Sequence, residues 1–210
     1  MLAERIGTDI SENIFAEKVY WLNQLSGELP ETNLITDYKR SEVCSKKNKS
    51  VQFQLDKTIS QGVLKLSKGS YYSVYLFLLA ATSILLEKYT NNSDLIVGIP
   101  VLDKETALEN LANRVLPLRT CITKELTFKD ILIQVKEHTI GAYVHQNYPI
   151  DAIAHLLELP QQQNRCSIFD IVVLLKNIHA YDEISGLNND LTISFDIDDE
   201  IIRGSIDYSD

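Results

Sequence analysis

Four histidines, His138, His145, His155 and His179, are the residues of this chain best suited to proton transfer or metal ligation near neutral pH. A helical pair of metal ligands stands about four residues apart. His138 and His145 are seven apart, which on a helix is about 10.5 Å along the axis, too far for one ion. His145 is read as closing a helix, where an imidazolium is favoured by the helix dipole and can bond the last carbonyls. The three cysteines, Cys44, Cys121 and Cys166, are odd in number and form no C-x-x-C pair. Neither a zinc site nor a disulfide framework is indicated, and a reducing compartment is expected. The acidic run Asp198-Asp199-Glu200 is read as solubilising charge in a tight turn. No G-x-S-x-G, G-x-G-x-x-G or Walker loop occurs. By local chemistry alone the chain carries no visible catalytic set and no metal site.

Charge narrows the classes of partner. The net charge is −9 over 210 residues, which argues against a broad basic surface for nucleic acid. The one basic run, Lys46-Lys47-Asn48-Lys49, sits among polar residues and is read as a solvated loop. The first residues lack the apolar core of a signal peptide. The longest apolar run, Val74–Leu86, falls short of the roughly 20 residues that span a bilayer. A cytoplasmic protein without membrane partners is expected.

The elements that would position any site follow from periodicity. Ser11–Leu25 predicts a helix with Ile14, Phe15, Val19, Leu22 and Leu25 on its inner face, stopped at Gly27. Glu28–Lys49 reads as a connection, so residues 1–49 form an opening helix and connecting segment before a main body of 50–210. Val51, Phe53 and Leu55 alternate with glutamines, as in a half-buried strand. Asp56 should cap a helix burying Ile59, Val63 and Leu66. Ser73 should cap the largely apolar helix through Leu86, which feeds a strand at Leu95-Ile96-Val97 buried on both faces. Val115–Thr123 reads as a strand that Pro117 confines to an edge or a bulge.

Thr127-Phe-Lys-Asp130 fits a capping box, with Phe128, Ile131, Leu132, Val135, Thr139 and Ala142 as the inner stripe behind it. Asp151–Leu159 reads as a short helix burying Ile153, Leu156 and Leu157, and Ile168–Leu175 as a central strand. Leu191–Ile197 and Ile202–Tyr208 read as a hairpin with one wet face. The whole predicts an α/β two-layer sandwich, a mixed sheet with helices chiefly on one face.

A family resemblance runs through these elements in collinear blocks. Tyr20-Trp-Leu-Asn-Gln-Leu-Ser-Gly-Glu-Leu-Pro30 resembles Y-W-x-x-Q-L-x-G-x-L-P, and Thr36-Asp37 with Arg40 resembles T-D-x-x-R. Leu78-Leu-Ala-Ala81 with Leu85-Leu86 and Tyr89 resembles a long central helix. Val97-Gly98-x-Pro100 is similar to V-G-x-P, and Leu116-Pro-Leu-Arg119 to the end of F-V-N-T-L-x-L-R. His145-Gln146 with Pro149 and Asp151 resembles H-Q-x-x-P-F-E. Arg165-x-x-Ile168-Phe169, Asn177 and Gly204–Tyr208 resemble R-x-P-L-F, Q-N and G-x-L-E-Y. These blocks resemble the carboxyl-terminal lobe of a condensation domain of non-ribosomal peptide synthetases, a member of the chloramphenicol acetyltransferase-like superfamily.

The resemblance implies amide bond formation in a channel between two lobes, where an acceptor amine attacks a thioester held on the phosphopantetheine of a carrier protein. It implies the amino-terminal lobe, peptidyl or acyl carrier proteins and a neighbouring adenylation domain as partners, and no cofactor bound by this lobe. The family's H-H-x-x-x-D-G motif belongs to the first lobe, and no two histidines are adjacent here. Both ends look trimmed, as in an excised lobe that would be inactive alone. Where the family prefers Asn-Thr this chain has Arg114-Val115; it has Ile99 within V-G-x-P and Lys176 before Asn177. Ile99, Asn113, Arg114, Val115, Lys176 and Asn177 are therefore the substrate-channel candidates. His145, Gln146, Arg119 and Arg165 are the structural motif residues, the arginines as ion pairs or carbonyl clamps.

The replaced Asn-Thr pair and the net acidity leave open a non-catalytic module that recruits a carrier protein or tailoring enzyme, and an epimerase-type relative. Exposed apolar residues are expected along Val101–Asn113 and Ile168–Tyr208, where a partner lobe would cover them.

Overall fold

The computed structural model describes residues 2–30, 48–102, 113–160, 166–180, 184, 187 and 189–209. Cys44, Arg165, the Thr36–Arg40 block, the Gln161–Asn164 loop and most of the connection after Val101 lie outside them. The elements run α1 (Leu2–Gln24), β1 (Asn48–Gln54), α2 (Lys57–Leu66), α3 (Tyr71–Thr90), β2 (Asp94–Pro100), β3 (Val115–Cys121), α4 (Phe128–Val144), α5 (Ile150–Leu156), β4 (Ile171–Leu175), β5 (Leu191–Asp198) and β6 (Ile201–Ser209). The strands form one mixed sheet in the order β1-β6-β5-β4-β2-β3. β2, β4 and β5 are mutually parallel; β1, β3 and β6 run antiparallel to their neighbours. The α/β architecture with a mixed sheet is the one expected.

α3 is the spine. Its Val74, Tyr75, Leu79 and Ala80 are wholly enclosed, each large apolar side chain contributing roughly 1.5–3 kcal/mol of burial. α3 packs on β2 and β4, α4 on α3 and β3, and α2 on β6. The same core takes in Trp21 of α1, Leu25 just past its end and Ile153 of α5, the two helices packing on each other. No single helix among the described residues is long and apolar enough to cross a membrane.

Local signals account for the element ends. Thr127 and Asp130 form a reciprocal capping box, with Asp130 N–H donating to Thr127 Oγ1 and Thr127 N–H to Asp130 Oδ2. The bonds from Thr127 hold the Asp130 carboxyl below its usual range. Asp56 caps α2 by accepting from Thr58 N–H at 2.7 Å. Gly27, past the end of α1, has φ +76°, a conformation other residues avoid. Pro117 lies in β3, an edge strand, as its missing N–H requires. Asp199 and Glu200, with φ 49° and 61°, make the two-residue turn of the β5–β6 hairpin.

Several expectations are corrected. The cap of α3 is Ser70, whose hydroxyl accepts from Ser73 N–H, so the helix starts a turn earlier than Ser73. α1 begins well before Ser11, and its enclosed line is Glu17, Trp21 and Leu25; Ile14, Phe15 and Val19 are exposed. On α2 the inward residues are Ser60 and Val63, with the buried Ser67 capping its end, while Ile59 and Leu66 face out. On α5 Leu156 is exposed and Ile150, Ile153 and Ala154 are buried.

Register sorts the two faces of the sheet. Phe53, Gly204, Phe195 and Leu175 are cross-strand neighbours and share the helix-covered face. Phe53 lies so close over Gly204 that a Cβ there would meet the ring at 2.2 Å. The opposite face carries a row across all six strands: Ser50, Asp207, Thr192, Val172, Gly98, Pro117. It is polar on β1, β6 and β5 and apolar on β4, β2 and β3. At Gly98 a Cβ would strike both Val115 and Phe169 within 3 Å, which accounts for glycine there.

Candidate functional site

Because β2 and β4 are parallel, with Gly98 opposite Val172, their carboxyl ends emerge at one edge of the sheet. β3 starts at that edge, with Val115 opposite Pro100 and Val101 N–H donating to Arg114 O at 3.1 Å. All six channel candidates are thereby brought to one end of the sheet. Their side chains play different parts. Ile99 is wholly enclosed, and Val115 is buried over Gly98.

Asn113 spends its whole amide on the segment before α5: Nδ2 donates to Gln146 O and Tyr148 O, both at 2.7 Å, and Oδ1 accepts from Ile150 N–H. Asn177 grips Ile197 on both sides, donating to its carbonyl at 3.2 Å and accepting from its N–H at 2.9 Å. Arg114 and Lys176 are the exposed cations of this edge.

The motif residues hold backbone together. His145 caps α4: its Nδ1–H donates to Gly141 O at 2.8 Å, its ring stacks on Tyr20 at 4.0 Å, and its carbonyl accepts from Trp21 Nε1–H at 2.7 Å. Gln146 lends its carbonyl to Asn113. Arg119 pairs with Asp94 through Nε and Nη2 and donates to the carbonyls of Ser26 and Glu28, which ties the segment after α1 to β3. Arg165 lies outside the described residues. A shallow open groove runs past Arg119, Asp94, Cys121, Gln134 and His138, at the other end of β3 from the candidate edge. The Arg119 guanidinium in it is already engaged on every side.

His138 donates to Arg119 O, so it and His145 each serve a carbonyl and do not converge. Among the described residues no group of three potential metal ligands comes together.

Two features are not legible in full from any single stretch of the sequence. The first is a buried aromatic cluster beneath the candidate edge. His179 Nδ1 accepts from Leu175 N–H at 3.1 Å, and Nε2 stands 3.5 Å from Tyr143 Oη, which donates to Pro100 O at 3.1 Å. Tyr75 packs edge-on against the His179 ring and donates to Val173 O. Burial pushes His179 down to about 4 and raises Tyr143 and Tyr75. No spacing signals this cluster, because its three aromatic members, Tyr75, Tyr143 and His179, are 36 to 104 residues apart.

The second is the extent of the wet face. Thr192, Ser194 and Asp196 of β5 stand beside Asp207, Ser205 and Arg203 of β6 and Ser50, Gln52 and Gln54 of β1. Ser194 and Ser205 share a hydrogen bond of 3.1 Å. The alternation is legible in each strand; its continuation onto β1 needs the register. The apolar exposure expected along Ile168–Tyr208 is absent among the described residues there: the large exposed hydrophobics lie on the helices and β1 instead. Of the Val101–Asn113 connection, the two described ends are buried. Among the described residues this half of the sheet face is polar, partly buried on β5 and β6 and exposed on β1, and an apolar partner over it would strand its polar groups.

Residues 4–203 match the Condensation domain family. The chain belongs to that family. It is 35% identical over 174 residues to tyrocidine synthase 3 of Brevibacillus parabrevis, covering 80% of this chain and 3% of that protein. With gramicidin S synthase 2 of Brevibacillus brevis it shares 32% over 171 residues, 80% of this chain and 4% of that one. Among solved structures, the complex of the X-domain and OxyB from teicoplanin biosynthesis superposes with a TM-score of 0.77 at 21% identity, covering 94% of this chain and 48% of that one. Holo-AB3403, a four-domain nonribosomal peptide synthetase bound to AMP and glycine, gives 0.76 at 17% identity over 92% of this chain and 17% of that one. The chain thus spans about half of the matched chain of the teicoplanin complex, 17% of holo-AB3403 and a few per cent of the tyrocidine and gramicidin S synthases. The condensation-domain fold accounts for the mixed sheet and its helix-covered face.

Proposed function

We propose that this chain is the carboxyl-terminal lobe of a synthetase condensation domain and forms one wall of the channel in which an acceptor amine attacks a carrier-bound thioester. The observation that supports it is the sheet face that is polar over half its width. A row of hydroxyl, amide and carboxylate side chains on β1, β6 and β5 faces away from the helices, and the candidate edge at Pro100–Val101 and Leu175–Asn177 adjoins it.

In the reaction the amine nitrogen bonds the thioester carbon, the C–S bond breaks, and a proton passes from nitrogen to the leaving thiol. This requires held geometry and a group that manages the proton. The present residues are suited to holding geometry. Backbone clamps at Asn113 and Asn177 fix the wall, and Arg114 and Lys176 stand exposed on its rim. Proton management falls to the H-H-x-x-x-D-G motif of an amino-terminal lobe, which this sequence does not contain. Carrier proteins, their phosphopantetheine arms and an adenylation neighbour are the partners this reading supplies, in the cytoplasm.

Given carriers loaded with donor and acceptor aminoacyl thioesters, the chain alone should make no dipeptide. Joined to a folded amino-terminal lobe carrying the histidine motif, it should make it. Dipeptide from the chain alone, or none from the folded pair, overturns the reading. A recruitment module for a carrier or tailoring enzyme is the second reading, favoured by Arg114-Val115 in place of Asn-Thr; it predicts a silent folded pair that still retains its carrier or tailoring enzyme.

A further inference from the structure

We propose that His179 is a positioning residue: with Tyr143 it forms a buried strut that fixes the ends of β2 and β4, and so the edge from which Arg114, Lys176 and Asn177 project. The bond directions support a single arrangement. A backbone N–H can only donate, so Leu175 N–H leaves His179 Nδ1 without a proton. The neutral ring then carries its proton on Nε2, aimed at Tyr143 Oη. Tyr143 directs its own proton to Pro100 O, the last residue of β2. One line of groups thereby links β4, α4 and β2.

His179 N–H returns to Leu175 O at 3.0 Å, which closes the turn holding Lys176 and Asn177. Lys176 N–H then donates to Phe195 O, and Asn177 grips Ile197, so the same turn is also pinned to β5. A second proton on the ring would stand at Nδ1 against Leu175 N–H, donor against donor. The groups facing the ring are the phenols of Tyr75 from α3 and Tyr143 from α4, with Tyr72 of α3 beside Tyr143. No carboxylate among the described residues is seen to face it, so burial meets no compensating charge.

The strut concerns this chain's own edge; its bearing on catalysis rests on the channel reading above. Amide hydrogen exchange on the whole chain separates positioning from general stability. In His179→Phe, which keeps the ring and loses both nitrogens, exchange at Leu175, Lys176, His179 and Ile197 should rise roughly tenfold, while the amides of α3 and those pairing β2 with β3 keep their protection. Tyr143→Phe, a smaller change that serves if His179→Phe does not fold, should raise exchange at Val101 and His179 and spare the same reference amides. Uniform loss across the chain, or unchanged exchange at the edge, overturns the proposal. A failed dipeptide assay would defeat the channel reading and leave this exchange pattern as it is.

Discussion

One sheet has two kinds of strand. β4, β2 and β3 are buried along nearly their whole length, on both faces. β5 and β6 bury apolar residues on the helix side and carry polar ones on the other, while β1, the edge strand, has Phe53 half-buried and Val51 exposed on its helix side. The boundary falls between β4 and β5, where Leu174 stands opposite Ser194. The strands belong to one hydrogen-bonded sheet, and the parallel pairs cross the boundary, so strand direction does not set this difference. It is set by what each face must meet: packed chain over one half, water or a polar guest over the other.

The largest test compares one side chain from each half. Leu174, wholly enclosed on the face away from the helices, should lose about 2–5 kcal/mol on truncation to Ala. Val51, more than half exposed on β1, should lose no more than about 0.5 kcal/mol. Chemical denaturation of both variants measures it. Equal losses would erase the distinction between the halves.

Next in size is a pH effect confined to the dry half. His179 is held down to about 4 by burial, below its ordinary value of 6.5. Between those values the unfolded chain binds a proton that the folded chain does not, so stability rises with pH there. The His179 contribution is complete above about pH 6.5 and falls as pH drops towards 4, by on the order of 3 kcal/mol. In His179→Phe the same interval should be nearly flat. The capping carboxylates of Asp56 and Asp130, also depressed, act at more acid pH and remain in both chains. A variant that keeps the full slope from pH 6.5 to 4 would remove His179 as its source.

The halves also differ in how legible they are from sequence. The hairpin, the Thr127–Asp130 box, the Pro117 edge and the Gly27 stop are legible because each signal sits within a few residues of its effect. Helix faces are less so: on α1 and α2 the aliphatic residues suggest one face, while packing chooses Glu17, Trp21 and Leu25 or Ser60, Val63 and Ser67. Tertiary fit decides between stripes that periodicity ranks alike. The candidate edge is reached by resemblance to a family, and the chain does gather those six residues there. What they do is hidden, since Asn113 and Asn177 are clamps only in view of carbonyls 20 to 35 residues away. The His179 strut lies beyond any local signal for the same reason.

The smallest test examines the boundary itself. Ser194 is almost fully enclosed although it lies on the wet face, and its hydroxyl shares a hydrogen bond with Ser205 on β6. Ser205 has a second, weaker partner in Asp207 at 3.4 Å. If the wet rows are a tied polar surface, Ser194→Ala should cost about 1 kcal/mol, because it leaves a half-buried hydroxyl without its better partner. Ser205→Ala should cost about the same. The double variant removes both groups at once and should cost less than the sum of the two, by roughly 0.5 kcal/mol or more. Strict additivity would mean that each hydroxyl is satisfied by water on its own. The wet face would then begin on β5 itself, with no bonded seam between it and the dry half.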